Sequence, residues 1–213
     1  MNKVIASSVS KKFVMALAGL FLLTFLPIHL GINFMLLKSD PEPFNSAAHF
    51  MATFPLVKVF EILLILGFLI HIIIGVIVQI QNWLARPSGY KSGSKSKTSF
   101  FSRFMIWTGG IVFIFLIIHF TNFYFIKLGF IEGDAENFYS VAHQLFAIPA
   151  YNIFYWICFI VLGFHLYHAF TSAFQTVGLN HRIWTPVVNF IAVFYAILIP
   201  AGFISIPLII WLF

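Results

Sequence analysis

Four histidines, His29, His71, His119 and His165, stand inside otherwise apolar runs of the sequence, and a fifth, His168, follows in "VLGFHLYHAF" (161–170). An imidazole in hydrocarbon is costly, so a histidine at membrane depth is a functional candidate by default. Two kinds of chemistry suit such a set: imidazole nitrogens ligate haem iron, and histidines at membrane depth relay protons in transporters. Other redox centres are excluded by what the chain lacks. Cys158 is its one cysteine, whereas a disulfide framework, an iron–sulfur cluster or a zinc site built on thiolates needs several. No Gly-rich nucleotide-binding loop is present either.

The elements that must position these histidines follow from composition. Of 213 residues, 61% are hydrophobic, 19% aromatic and only 8% charged, against about a quarter charged in a soluble domain. Such a chain cannot cover its surface with polar groups, and it is expected to be an all-α integral membrane protein, a single domain over 1–213. Five segments are long enough to cross roughly 30 Å of hydrocarbon: 12–37, 56–84, 104–127, 150–177 and 187–213. The first follows a basic N-terminus but is too long for a signal-peptide core, so it reads as a retained helix. Breaker-rich connections separate the five: "SDPEPFNS", "RPSGYKSGSKSKTS", "GFIEGDAENFYS" and "GLNHRIWTP".

Charge orients the bundle. Lys3, Lys11, Lys12, Arg86, Lys91, Lys95, Lys97, Arg103 and Arg182 fall on one side. The other has only Lys38, Lys58 and Lys127, with the acids Asp40, Glu42, Glu61, Glu132, Asp134 and Glu136 on it or toward it. The positive-inside rule makes the N-terminus cytoplasmic and the C-terminus external. Trp83, Trp107, Trp184 and Trp211 read as interfacial belt residues. The "YKSGSKSKTS" run is either a flexible basic loop or a dock for a cytoplasmic partner.

An internal repeat sorts the histidines. "FNSAAHFMATFP" (44–55) aligns with "FYSVAHQLFAIP" (138–149) at an offset of 94, which carries His71 onto His165, Gly75 onto Ala169 and Gln81 onto Gln175. In the preceding segments an offset of 90 carries Gly19 onto Gly109, Phe25 onto Phe115 and His29 onto His119. The chain thus reads as two tandem helix pairs plus a fifth helix. Both pairs start on the cytoplasmic side, so they are parallel repeats about an axis along the membrane normal. Rotation about that axis preserves depth, so His29 should face His119, and His71 should face His165. At about 1.5 Å per residue, the first pair lies nearer the outside and the second nearer the cytoplasm. His168 corresponds to Ile74 and has no equivalent. It is assigned a hydrogen bond to a neighbouring helix or to a cofactor carboxylate.

Four facing histidines fit two b-type haems, each held by two imidazoles that leave no open position on the iron and so restrict it to electron transfer. Gly75 and Ala169, each four residues after an inner histidine, would open a slot for the flat ring or serve ordinary close packing. A proton-relay transporter is the alternative. It predicts acids near the midplane and paired helix breaks, but only Glu61 lies inside a span, and Pro27 and Pro200 are not repeat-related. A purely structural subunit leaves the matched histidines unexplained. Glu61 would take part in quinone protonation or pair with Lys58, three residues away on a helix. His49 and His143 fall on short outer segments, either as solvated residues or as contacts to a haem propionate or a quinone.

The sequence resembles the membrane-anchor cytochrome b subunit of succinate dehydrogenase and fumarate reductase, in its single-chain, five-helix, di-haem form. The carriers are "FNSAAHFM" followed by "FEIL", one histidine in each of the first four spans, and "FHLYHAFTSAFQTVG", with a Gly thirteen residues after His165. The resemblance covers nearly the whole chain. It implies an inner haem b on His71 and His165 and an outer haem b on His29 and His119. It also implies a flavoprotein with covalent FAD and an iron–sulfur subunit on the cytoplasmic face, in a bacterial cytoplasmic membrane and with no nucleic-acid partner. Some fumarate reductases of this family have a Glu two residues before the ligand in the fourth helix, implicated in proton transfer. Here that position is Gly163, which favours a succinate-oxidising menaquinone reductase over a quinol:fumarate reductase anchor. Electrons would pass outward from haem to haem to menaquinone, a direction that gains about 2.3 kcal/mol per 100 mV when the outside is positive. The expected quinone pocket near the outer haem takes in Asn33, Phe34 and Glu61.

Overall fold

Proline opens two of the long helices. Pro55 and Pro149 each occupy the first turn, where a missing N–H costs nothing and the ring's fixed φ suits the helix. The residues before them, Phe54 and Ile148, are extended, with ψ of 124° and 114°, the backbone that a following proline favours. The structure is a computed structural model and describes residues 8–85, 100–179 and 181–213. Lys3 and the basic loop at 86–99 lie outside the described residues.

Helix α1 (Ser8–Asn33) runs into a 3-10 turn (Phe34–Leu37), and a short α2 (Glu42–Thr53) precedes the long α3 (Pro55–Leu84). Helix α4 (Phe100–His119) continues through a π-helical segment (Phe120–Tyr124) and a last α turn (Phe125–Lys127). A short α5 (Phe138–Phe146) then leads into α6 (Pro149–Thr176), and α7 (Trp184–Leu212) completes the chain. No strand occurs among the described residues. Five stretches are long and apolar enough to cross a membrane: Val9–Leu37, Pro55–Leu84, Phe104–Lys127, Pro149–Thr176 and Trp184–Leu212. The chain is a multi-pass membrane protein, with spans within three residues of those expected at each end.

Helix α6 is the centre of the bundle and packs against α7, α4 and α1; α1 in turn packs against α3. Helices α3 and α4 barely touch. Tyr155, Phe159 and Leu166 of α6 meet Ile199, Phe203 and Ile206 of α7 and Leu23 and Leu30 of α1 in one buried cluster. On α3 the face bearing Ile62, Leu66, Leu69 and Ile73 is exposed, at the spacing of a helix stripe turned toward lipid. Trp83, Trp107, Trp184 and Trp211 are all exposed. The glycine thirteen residues after His165 ends α6. Gly178 takes φ +91°, and the amides of Gly178 and Leu179 return to the carbonyls of Gln175 (3.2 Å) and Phe174 (3.0 Å), the paired closure that a left-handed glycine permits.

Proline inside a helix removes the N–H that would bond the carbonyl four residues back, and in hydrocarbon that carbonyl must find another partner. Pro27 leaves the Leu23 carbonyl without its helical donor, and the Tyr195 hydroxyl of α7 donates to it at 2.5 Å. Pro200 does the same for the Ala196 carbonyl. That oxygen faces Gly163 of α6 so closely that a Cβ there would stand 2.9 Å from it and 3.3 Å from Pro200 Cγ. Helix α7 is therefore registered against α1 and α6 through two carbonyls that proline frees.

Candidate functional site

His71 on α3 faces His165 on α6, with ring centroids 6.3 Å apart and planes at 78°. Each imidazole is half-buried, and each is seated by the long helix that precedes its own, α1 for His71 and α4 for His165. The Nδ1–H of His71 meets the Met15 carbonyl of α1 at 3.3 Å, and the His165 Nδ1 meets Thr108 Oγ1 of α4 at 3.3 Å. The Thr108 hydroxyl donates its one hydrogen to the Met105 carbonyl at 3.0 Å, so toward His165 it accepts. A carbonyl likewise only accepts. This network assigns the Nδ1–H tautomer to both rings, which leaves Nε2 as the nitrogen with a free lone pair, as a ligating histidine requires. Gly19 and Gly109 make room for the rings. A Cβ on Gly19 would lie 3.3 Å from His71 Cε1, and one on Gly109 3.4 Å from His165 Cε1.

His29 on α1 faces His119 on α4, with centroids 5.8 Å apart and planes at 84°. Phe25 stacks on His29 (5.0 Å, 20°) and Phe115 on His119 (5.5 Å, 21°), each one helical turn before its histidine. Phe203 of α7 and Phe123 of the π segment lean on the two rings from other sides. The amide of Asn33 donates to the His29 carbonyl at 2.8 Å and lies 3.3 Å from its Nδ1. His119 Nδ1 is buried without a hydrogen-bond partner.

The haem expectation can be tested against this geometry. A metal–imidazole bond is about 2.0 Å and the bonding nitrogen lies about 1.1 Å from its ring centre, so two imidazoles across one metal hold their centres about 6.2 Å apart. The inner pair stands at 6.3 Å and the outer at 5.8 Å. Among the described residues no cluster of three or more His, Cys, Asp or Glu forms, so each pair offers two donors and no more. That donor set suits a group bringing four equatorial nitrogens of its own, as a porphyrin does. The residues present fit it.

The other candidates are distributed differently from expectation. His168 bonds Ser172 of its own helix (3.1 Å) rather than a neighbouring one. Gly75 faces Met15, whose Sδ lies 3.8 Å from where a Cβ would be; the close seats for the rings are Gly19 and Gly109 instead. His49 is exposed on α2. His143 is held on α5, its Nε2 3.0 Å from the Leu36 carbonyl and its ring stacked on Tyr139 at 4.1 Å. Phe34 is in the 3-10 turn with its ring against Gly202 of α7. Glu61 does not pair with Lys58. It accepts from Tyr124, the last residue of the π segment, at 2.8 Å and from Lys127, in the α turn that follows, at 2.7 Å, and so ties α3 to α4 at one end of a seam where those helices scarcely meet.

That tie carries a prediction. Both ion-pair partners are only about one-fifth exposed, so removing one leaves a poorly solvated charge behind. Glu61→Leu should cost about 1–2 kcal/mol, the solvent-exposed fraction holding it below the value for a fully buried pair. A thermal melt of the detergent-solubilised chain measures it, and Glu61→Gln, which keeps an acceptor for Tyr124, should lose less.

Sequence reasoning used Gly19 and Gly109 only as alignment anchors and missed them as imidazole seats, along with Met15 and Thr108. Their signal was available: Gly19 and Gly109 align at the offset that also aligns His29 with His119. Compared with known proteins, the chain matches no family model, no curated protein and no solved structure.

Proposed function

We propose that the chain is the di-haem cytochrome b anchor of a succinate:quinone oxidoreductase, seated in a bacterial cytoplasmic membrane with its N-terminus inside and its C-terminus outside. The observation that carries this reading is the pair of facing imidazole couples, with ring centres 6.3 Å and 5.8 Å apart, the inner one with both Nδ1 atoms already engaged. Bound there, two haems b would supply one-electron transfer between the iron–sulfur subunit of a cytoplasmic partner and menaquinone. A flavoprotein subunit with covalent FAD would carry the succinate chemistry.

The chain's own residues perform the holding. Met15 and Thr108 fix the ring orientation of His71 and His165; Phe25 and Phe115 fix that of His29 and His119. The Phe25–His29 stack recurs as Phe115–His119, and each inner histidine turns its Nδ1 to an acceptor on the preceding long helix, a main-chain carbonyl in one case and a threonine hydroxyl in the other, which supports the reading of two parallel repeats with α7 added. Succinate oxidation is favoured over fumarate reduction because the Ala196 carbonyl fills the space beside Gly163. No carboxylate fits there two residues before His165.

The test is haem per polypeptide, by pyridine haemochrome and a reduced-minus-oxidised spectrum on the purified chain. Two b-type haems per chain are expected. A well-folded preparation without haem overturns the proposal and brings the proton-relay reading forward.

A further inference from the structure

Helix α7 carries one arrangement twice. Ala196 with Pro200 recurs seven residues on as Phe203 with Pro207. Seven residues are close to two helical turns, so the two carbonyls leave the same side of α7. Pro207 is fully buried and has no N–H to give the Phe203 carbonyl, as Pro200 has none for Ala196. Contacts run in opposite directions along α6 and α7: Gly163 lies against the Ala196 carbonyl, Phe159 stacks on Phe203 at 5.3 Å, and Trp156 meets Trp211 at 6.0 Å. The residue seven before Gly163 is Trp156. The step that carries the Ala196 carbonyl to the Phe203 carbonyl on α7 therefore carries Gly163 to Trp156 on α6.

Two polar atoms on that face of α6 are buried without a hydrogen-bond partner, Trp156 Nε1 and Asn152 Oδ1. Asn152 is one turn before Trp156 and only 1% exposed. Its Nδ2 donates to the Phe146 carbonyl at 2.6 Å, which fixes the orientation of the amide and leaves Oδ1 as the unused end. A helical side chain leans back over the turn before its own, and this brings the Trp156 indole over Asn152. Buried polar groups left unpaired in this way cost stability, and in hydrocarbon lipid offers them nothing. The set comprises one donor, the indole N–H, and two acceptors, the amide oxygen and the freed carbonyl. Neither α6 nor α7 contains an Asp, Glu, Lys or Arg. What completes the set must accept one hydrogen bond, donate two and carry no charge. Water does so, and buried waters typically make about three bonds to such groups.

We infer that a single water molecule binds between α6 and α7, accepting from Trp156 Nε1–H and donating to Asn152 Oδ1 and to the Phe203 carbonyl. It joins the start of α6 to the last turns of α7 at the place equivalent to the direct Gly163–Ala196 contact, and it is independent of haem. The test is nuclear magnetic resonance on the full chain in lipid nanodiscs, isotope-labelled on its tryptophans. The Trp156 indole is the resonance that disappears in Trp156→Phe. Its proton is expected to show cross-relaxation with water, and Asn152→Leu should abolish that signal while the indoles of Trp83, Trp107 and Trp184 keep their positions. A Trp156 indole without cross-relaxation to water overturns the site, and one that keeps it in Asn152→Leu overturns the shared water. Should either variant fail to fold, a high-resolution density map of the unaltered chain decides. Density within hydrogen-bond distance of all three atoms upholds the water. A direct bond from the indole to Asn152 Oδ1 or to the Phe203 carbonyl overturns it.

Discussion

Purified with His165 replaced by alanine, the chain is expected to carry one b-type haem where the proposed function expects two in the parent chain. His165 lies across from His71 alone, so on the proposed reading its loss would remove one of two protein ligands at that position, and His71 on its own would not retain the group. His71→Ala should give the same halved content, because on that reading the two would share one iron. His29→Ala or His119→Ala should remove the other haem and leave a different residual spectrum. The informative contrast is His168→Ala. Its ring is engaged with Ser172, one turn along the same helix, and the variant should keep both haems. A His168 variant that loses haem, or a His165 variant that keeps two, would move the inner ligand one turn along α6. Thr108 separates ligation from orientation: Thr108→Val removes the acceptor for His165 Nδ1–H and should alter the inner haem's spectrum without emptying the site.

The second large effect is expected at Gly163. A leucine there drives a side chain into the Ala196 carbonyl and the Pro200 ring, where even a Cβ would be 2.9 Å from backbone oxygen. The contact cannot relax by a rotamer change, since one side is main chain and the other a ring locked to it. Gly163→Leu should therefore cost about 3 kcal/mol, the upper range for overpacking a closely fitted interior, and lower both yield and melting temperature in detergent. Gly110 is the control. A Cβ at that position meets nothing within 4 Å, so Gly110→Ala should be neutral or slightly stabilising through helix propensity alone. Equal losses at the two positions would mean that α7 does not close against α6 as described.

The five spans were legible because hydrophobic length is a strong signal and Pro55, Pro149 and Gly178 punctuate it. The facing of His29 with His119 and of His71 with His165 followed from aligned segments and the depth argument. What escaped the sequence was every contact that depends on which side of a helix faces which neighbour. Glu61 has Lys58 nearby in sequence, but its partners are 63 and 66 residues on, brought close by packing that no local spacing encodes. His168 found its partner on its own helix for the opposite reason: Ser172 at the next turn was nearer than any other helix. The π segment left no mark in the sequence, since residues 120–124, "FTNFY", read as ordinary continuation of an apolar helix.

The two carbonyls freed by Pro27 and Pro200 also bear on the order in which the protein is made. Helix α1 is synthesised well before α7, yet the Leu23 carbonyl of α1 has its donor on Tyr195 of α7. Until α7 is made, that oxygen lacks the protein partner that lipid cannot supply, and the open side of α6 has only the bare Cα of Gly163 where Ala196 will lie. Before α7 docks, the bundle is thus incomplete in its main-chain bonding even with His29, His71, His119 and His165 all in place. Arrival of α7 gives the Leu23 carbonyl its donor and closes the Gly163 face of α6 in one docking event.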